Sequence, residues 1–204
     1  MKQATESTML TSQQGETLVR LARQEIERHL GVASERPVTA AELDCPAFRR
    51  KSGVFVTLHK RRDLRGCIGS LAAVEPVVDG IKRNALNAAF HDYRFDPVTA
   101  DELPALHVEI SVLTDPEPLA YDTADDLPRL LRPGIDGVII KGPRGESATF
   151  LPQVWHQLPT PEQFLGHLCR KAGLTEGAWR SGALHVLTYQ VQSFAEPRFS
   201  GKES

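Results

Sequence analysis

From Thr11 onward apolar residues recur at spacings of three and four: Leu18, Leu21, Ala22, Ile26 and Leu30 fall on one stripe of a helix that faces a core. Thr11, with Gln14 three residues later, reads as a capping box at its start, and Gly31 as the glycine that ends it. ASERPVTAAELDCPAF has two prolines and no period, so it is expected to be a connecting loop with room for a short helical turn. At Gly53 the period becomes two. GVFVTLHK alternates, LRGCIGSL resumes the apolar pattern after Lys60-Arg61-Arg62-Asp63, and the pair predicts a hairpin. Pro76 opens a second helix with Val77, Val78, Ile81, Ala85, Leu86, Ala88 and Ala89 inward, and HDYRFDPVTADELP breaks it.

HVEISVLT sets Val108, Ile110 and Val112 against His107, Glu109 and Ser111, as a third strand should. A short helix is expected near Asp125 to Leu131, and GIDGVIIKGPRGESATFL reads as a second hairpin turning at Gly142-Pro143-Arg144-Gly145. PQVWHQL and PEQFLGHLCRKAG predict two more helices, the latter opened by Pro161 and closed by Gly173, and LHVLTYQVQSF predicts one last strand. Strands that arrive in hairpins, rather than alternating with long helices, indicate a mixed, mainly antiparallel α+β fold.

The chain has 204 residues, 41% hydrophobic and 25% charged, enough for an ordinary globular core. A formal net charge of -2 leaves no global basic field for nucleic acid or an anionic membrane. No apolar run has the length of a signal peptide core or a membrane span, so a cytoplasmic protein without a membrane partner is expected. Cys45, Cys67 and Cys169 are odd in number and far apart, which fits neither a disulfide framework nor a zinc site. His107, His156, His167 and His185 show no metal-ligand spacing, so no metal and no cofactor are expected.

The candidate chemistry lies in LRGCIGS. In an extended segment Arg65, Cys67 and Gly69 share one face, with Arg65 and Cys67 about 6.6 Å apart along the strand, so that the arginine could act on a thiol or its substrate. A nucleophile elbow needs glycine where Arg65 stands, so that motif is not met. His59 and His91 are the candidate bases, and Glu109 a candidate inward carboxylate, otherwise facing water or paired with an arginine such as Arg94. Lys60, Arg61 and Arg62 at the hairpin tip read first as a solvated turn and second as an anion site.

GVFVTL, LRGCIGSL, AAFHDYRFDPV, EISVL, PGIDGVII, ATFLPQVW, FLGHLCRKAGL and YQVQSF, in that order, resemble the AMMECR domain family across roughly residues 15 to 197. In bacteria and archaea that family is called AmmeMemoRadiSam system protein A. The resemblance implies a two-lobed α+β fold of intertwined lobes over 15–197, with flexible ends at 1–14 and 198–204. Its larger lobe would join N- and C-terminal segments around an antiparallel sheet, with the cysteine motif near a cleft. It also implies a cytosolic protein encoded beside a Memo-like protein and a radical-SAM protein, in a family without an established activity. The signature falls on Leu64, Arg65, Gly66, Cys67, Ile68 and Gly69, on Asp92, Arg94, Phe95 and Glu109, on Gly134, Asp136 and Gly137, and on Leu151, Pro152, Gln153 and Trp155. His156 stands where relatives usually have glutamate, which weakens any argument for an acid there.

Three functions follow as expectations. In the first, Arg65, Gly66, Cys67, Gly69, Asp92, Arg94 and Glu109 line a cleft that binds a small anionic or peptidic ligand, or docks the Memo-like or radical-SAM partner. In the second, Cys67 is the nucleophile of an acyl- or alkyl-transfer enzyme, with Arg65 stabilising charge and His59, His91 or Glu109 moving protons. The third, nucleic-acid binding through Lys60, Arg61 and Arg62, is disfavoured because no aromatic platform interleaves with those cations in the sequence.

Overall fold

The computed structural model describes residues 9–197. The periodic apolar runs form the predicted elements, in the order α1 (Ser12–His29), α2 (Ala40–Leu43), α3 (Pro46–Arg49), β1 (Val54–Lys60), β2 (Asp63–Ser70), α4 (Val77–Phe90) and β3 (Leu106–Leu113). There follow β4 (Glu117–Pro118), α5 (Leu127–Leu130), β5 (Gly137–Lys141), β6 (Ser147–Phe150), α6 (Pro161–Lys171), β7 (His185–Tyr189) and β8 (Val191–Ala195). The chain divides into two units, one taking it up to Leu113 and again from Gln192, the other Thr114–Val191. The fold class is the expected mixture of helices and antiparallel sheet, with two four-stranded sheets.

In the first unit the strands run in the order β2-β1-β3-β8. Val54, Val56, Leu58, Val108, Ile110 and Val112 are all buried on one face, in a core that also holds Leu18, Leu21, Ala22 and Ile26 of α1 and Ile81, Ala85, Ala88 and Ala89 of α4. The alternation of β1 and β3 leaves the other face to half-buried Phe55, Thr57, His59, His107, Glu109 and Ser111. The capping box at Thr11 and Gln14 is formed, and Gly31 takes φ 73° beyond the end of α1. The prolines of the following loop leave room for α2 and α3, of four residues each.

The second unit has its own sheet, β4-β7-β5-β6, and its own core. Trp155 stacks on Phe164 with ring centroids 3.8 Å apart and donates from Nε1 to the Asp136 carbonyl at 2.7 Å. The buried Asp136 carboxylate accepts from the Arg132 backbone N–H and guanidinium. These motif residues therefore hold a turn and a core together.

One expectation is corrected. LHVLTYQVQSF is not a single strand: it divides at Gln190, so β7 belongs to the second sheet and β8 to the first. The burial pattern of β7 loses its alternation at Leu187 and Thr188. At the division the Thr114 N–H donates to the Gln190 carbonyl at 2.9 Å and the Gln190 N–H to Thr114 Oγ1 at 2.8 Å. The second unit is thus inserted between β3 and β8, and the first unit's sheet is completed only when the chain returns.

That return is fastened by Glu196. Its carboxylate accepts from Arg23 Nη2 at 2.8 Å, from Arg23 Nε, and from the Val108 N–H at 2.8 Å, while its own N–H donates to the Val108 carbonyl at 3.0 Å. Arg23 also donates to the Leu106 carbonyl at 2.6 Å, so one arginine of α1 ties β3 to the end of β8. Of the two expected flexible ends, residues 198–204 and 1–8 lie outside the described residues, and 12–14 belong to α1. Among the described residues no helix is long and apolar enough to cross a membrane.

Replacing Glu196 by alanine strands the Arg23 guanidinium and the Val108 N–H in a largely buried place. Glu196→Ala is expected to cost about 2–3 kcal/mol, read as a lower urea midpoint with an unchanged slope.

Candidate functional site

β2 is the edge strand of its sheet, so alternate residues point backbone N–H and C=O groups away from β1. At Cys67 both outward groups are taken. Its N–H donates to Asp92 Oδ2 at 2.9 Å, and its carbonyl accepts from Arg94 Nη2 at 3.2 Å. Asp92 and Arg94 are themselves joined through Nε to Oδ1 at 2.9 Å and Nη2 to Oδ2 at 2.7 Å, and the Arg94 N–H closes on Oδ1 at 3.2 Å. This salt-bridged pair therefore stands where a fifth strand would.

The sequence builds this clamp locally. α4 ends at Phe90, and Asp92 follows at once, buried to 4% exposure. The Arg94 guanidinium foremost, then the N–H groups of Cys67 and Arg94, hold the Asp92 carboxyl far below the usual carboxylate range, against the opposing effect of burial. Gly66 brings the helix close: a Cβ there would lie 2.1 Å from the Ala88 carbonyl oxygen of α4. At Gly69 a Cβ would meet the Phe55 ring at 2.2 Å, so that ring lies across the strand. The two glycines of the motif are thus places of close contact.

Arg65 does not share a face with Cys67 in the simple way that even spacing implies. The β1–β2 register shifts between Leu58, opposite Gly66, and His59, opposite Leu64, so Arg65 is the extra residue of a bulge. Its guanidinium turns to Glu102, donating from Nε at 3.0 Å and Nη2 at 2.9 Å, and Lys60 Nζ donates to the same carboxylate at 2.9 Å. Arg65 first, then Lys60 and the Thr99 N–H, hold Glu102 down at about 2. Glu102 was not among the residues singled out from sequence. The signal was there: Thr99 and Glu102 form a capping box on a 3₁₀ helix, Ala100–Ala105, inside the stretch read as a helix breaker.

Register, not sequence proximity, sets the neighbours of the sulfur. Thr57 pairs with Cys67 on one side and Glu109 on the other, which puts the three side chains in one row on the polar face of the sheet. The Thr57 hydroxyl and the Cys67 thiol are 3.3 Å apart. Glu109 is two strands from Cys67, about 10 Å, too far for direct proton transfer. Nor is it the partner of Arg94, which is committed to Asp92. His59 shares the polar face one pleat further along, opposite His107, whereas His91 is exposed at the end of α4. Cys67 itself is half-buried and Cys169 fully buried.

Beside the clamp lies a hollow of about 500 Å³ lined by Arg65, Tyr93, Arg94, Phe95, Asp96 and Glu102. Tyr93 is 95% exposed, and the Arg94 guanidinium lies 5.4 Å from the centre of the Phe95 ring. The structure thus gathers Asp92 and Arg94 round the backbone of Cys67, turns Arg65 away to Glu102, and brings in Thr57, Tyr93 and Glu102, residues that sequence reasoning missed.

A sequence model of the AMMECR1 family matches residues 19–194. A protein of Thermofilum pendens is 41% identical, with 92% of each chain covered. One of Methanothermobacter thermautotrophicus is also 41% identical, over 92% of this chain and 96% of the relative. The crystal structure of an uncharacterised protein from Pyrococcus horikoshii, 36% identical, superposes with a TM-score of 0.71, covering 92% of this chain and 93% of that one.

Asp92→Ala leaves the Cys67 N–H without its acceptor and is expected to cost about 1–3 kcal/mol in urea denaturation at pH 7. For Glu102 the folded pKa lies below the unfolded one, so its contribution is complete above about pH 4.5 and fades as pH falls towards about 2. The wild-type urea midpoint should therefore drop over that window. Glu102→Gln should start lower at pH 7 and drop less steeply.

Proposed function

This chain belongs to the AMMECR1 family, and from that premise we propose that it is a cytosolic accessory component of the AmmeMemoRadiSam system, binding a peptidic ligand or docking its Memo-like or radical-SAM partner. The observation that carries this reading is the hollow lined by Arg65, Tyr93, Arg94, Phe95, Asp96 and Glu102. Its arginines already have carboxylate partners, which favours an occupant with both polar and aromatic contacts over a bare anion. Tyr93 suits such contact, since an exposed aromatic ring gives a large, stiff area with a polar tip.

Catalysis by Cys67 is the second reading. In its favour, Cys67 is half-buried rather than sealed and shares a polar sheet face with Thr57, His59 and Glu109. Against it, the polar side chain within reach of the sulfur is the hydroxyl of Thr57, and no histidine or carboxylate of this face hydrogen-bonds to it among the described residues.

Immobilised protein is expected to retain the purified Memo-like or radical-SAM protein of the same host. Tyr93→Ala should weaken that retention about tenfold without changing Tm, and Cys67→Ser should leave it within about twofold. Retention of neither purified partner would overturn the docking reading. Iodoacetamide labelling separates the second reading: a Cys67 that reacts at pH 7 much faster than a thiol of the urea-unfolded chain would favour the enzyme.

A further inference from the structure

The β1–β2 hairpin turns in two residues, Arg61 and Arg62, between the paired Lys60 and Asp63. Arg61 has φ 61°, and it is the one residue other than glycine with a positive φ among the described residues. A positive φ at the first central position alone is the pattern of a type II′ turn, where glycine is the ordinary occupant. An arginine held there carries a Cβ into a crowded backbone conformation, a cost that glycine would remove. Strain of this kind persists only where the surrounding structure holds it, and it clusters at ligand clamps and switch regions.

The side chains at the tip differ from their neighbours in charge balance. Lys60 and Arg65 are committed to Glu102, and Arg94 to Asp92. Arg61 and Arg62 are exposed and form no ion pair among the described residues. Apolar surface is open along the same strand and in the hollow it borders: Leu64, two residues after the tip, is 41% exposed, and Tyr93, which lines the hollow with Arg65 and Glu102, is 95% exposed. The exposed carboxylates of Asp63, Asp96 and Asp101 are interspersed along the same segments.

We infer that the Arg61–Arg62 tip is a docking surface for an acidic peptide segment of a partner protein, whose carboxylates pair with the two guanidiniums and whose apolar side chains rest on Leu64 and Tyr93. The inference rests on the binding reading above and names the chemistry of the partner. The interspersed acids decide between polyanions. A nucleic acid strand carries a charge about every 3.4 Å and would bring phosphates over Asp63, Asp96 and Asp101, whereas a peptide places carboxylates only where guanidiniums stand. Two unpaired guanidiniums give geometric selection, since each can donate two parallel N–H groups to one carboxylate.

The test is fluorescence anisotropy with a short labelled peptide of alternating glutamate and leucine, compared with its glutamine analogue, oligouridylate and phosphatidylserine vesicles. The glutamate peptide is expected to bind best, and less well as salt rises. Arg61→Gly should weaken binding about three- to tenfold while Tm stays level or rises by up to about 3 °C, and Arg62→Ala should weaken binding similarly. A fall in Tm on Arg61→Gly, or an unchanged affinity in it, overturns the inference. So does equal binding of the glutamine peptide, or tighter binding of oligouridylate or vesicles. Failure of the hollow is separate: Tyr93→Ala then leaves partner retention intact while Arg61→Gly still weakens the glutamate peptide.

Discussion

An open sheet ends in a strand whose outward N–H and C=O groups have no neighbour, and at Cys67 one salt-bridged pair supplies both missing partners. A carboxylate accepts and a guanidinium donates, and the two hold each other in the spacing of a peptide. The arrangement closes this part of the edge to a further strand, which an exposed edge otherwise invites. It also explains why the end of α4 matters so much. Asp92 must emerge from the helix at the height of Cys67, and Gly66 lets α4 approach closely enough for that to happen.

The cysteine motif therefore has a structural meaning that does not depend on the thiol. Its glycines accommodate a helix backbone and an aromatic ring, its cysteine offers a peptide group to the clamp, and its arginine leaves the strand at a bulge to meet Glu102. The sulfur faces the polar side of the sheet beside Thr57. Two carboxylates, Asp92 and Glu102, organise three cations, and in the hollow beside them Arg65 and Arg94 stand against Asp96 and Glu102, so its lining is balanced in charge. That balance suits the proposed binding role.

Most of the fold was legible because burial imposes a period. α1 with its capping box, the alternating strands β1 and β3, the opening of α4 at Pro76 and the hairpin of β5 and β6 all follow from residues close in sequence. Of the site, the sequence marked Arg65, Gly66, Cys67, Gly69, Asp92, Arg94 and Glu109, and the pairing of Asp92 with Arg94 lies within three residues. What local pattern cannot express is which of several carboxylates an arginine meets. Arg94 meets Asp92 rather than Glu109, and Arg65 meets Glu102, because a bulge and a 3₁₀ turn decide where the guanidiniums end.

By itself the sequence determined the elements, the antiparallel character and the short-range caps, since each rests on periodicity or on neighbours a few residues apart. Only the tertiary structure decided that one apolar run, LHVLTYQVQSF, divides between two sheets, that Glu196 returns to fasten β8 to α1, and that Thr57 stands between Cys67 and Glu109. The reason is physical: strand register and sheet membership are set by pairing between distant segments, and a shift of one residue exchanges every side chain between the two faces.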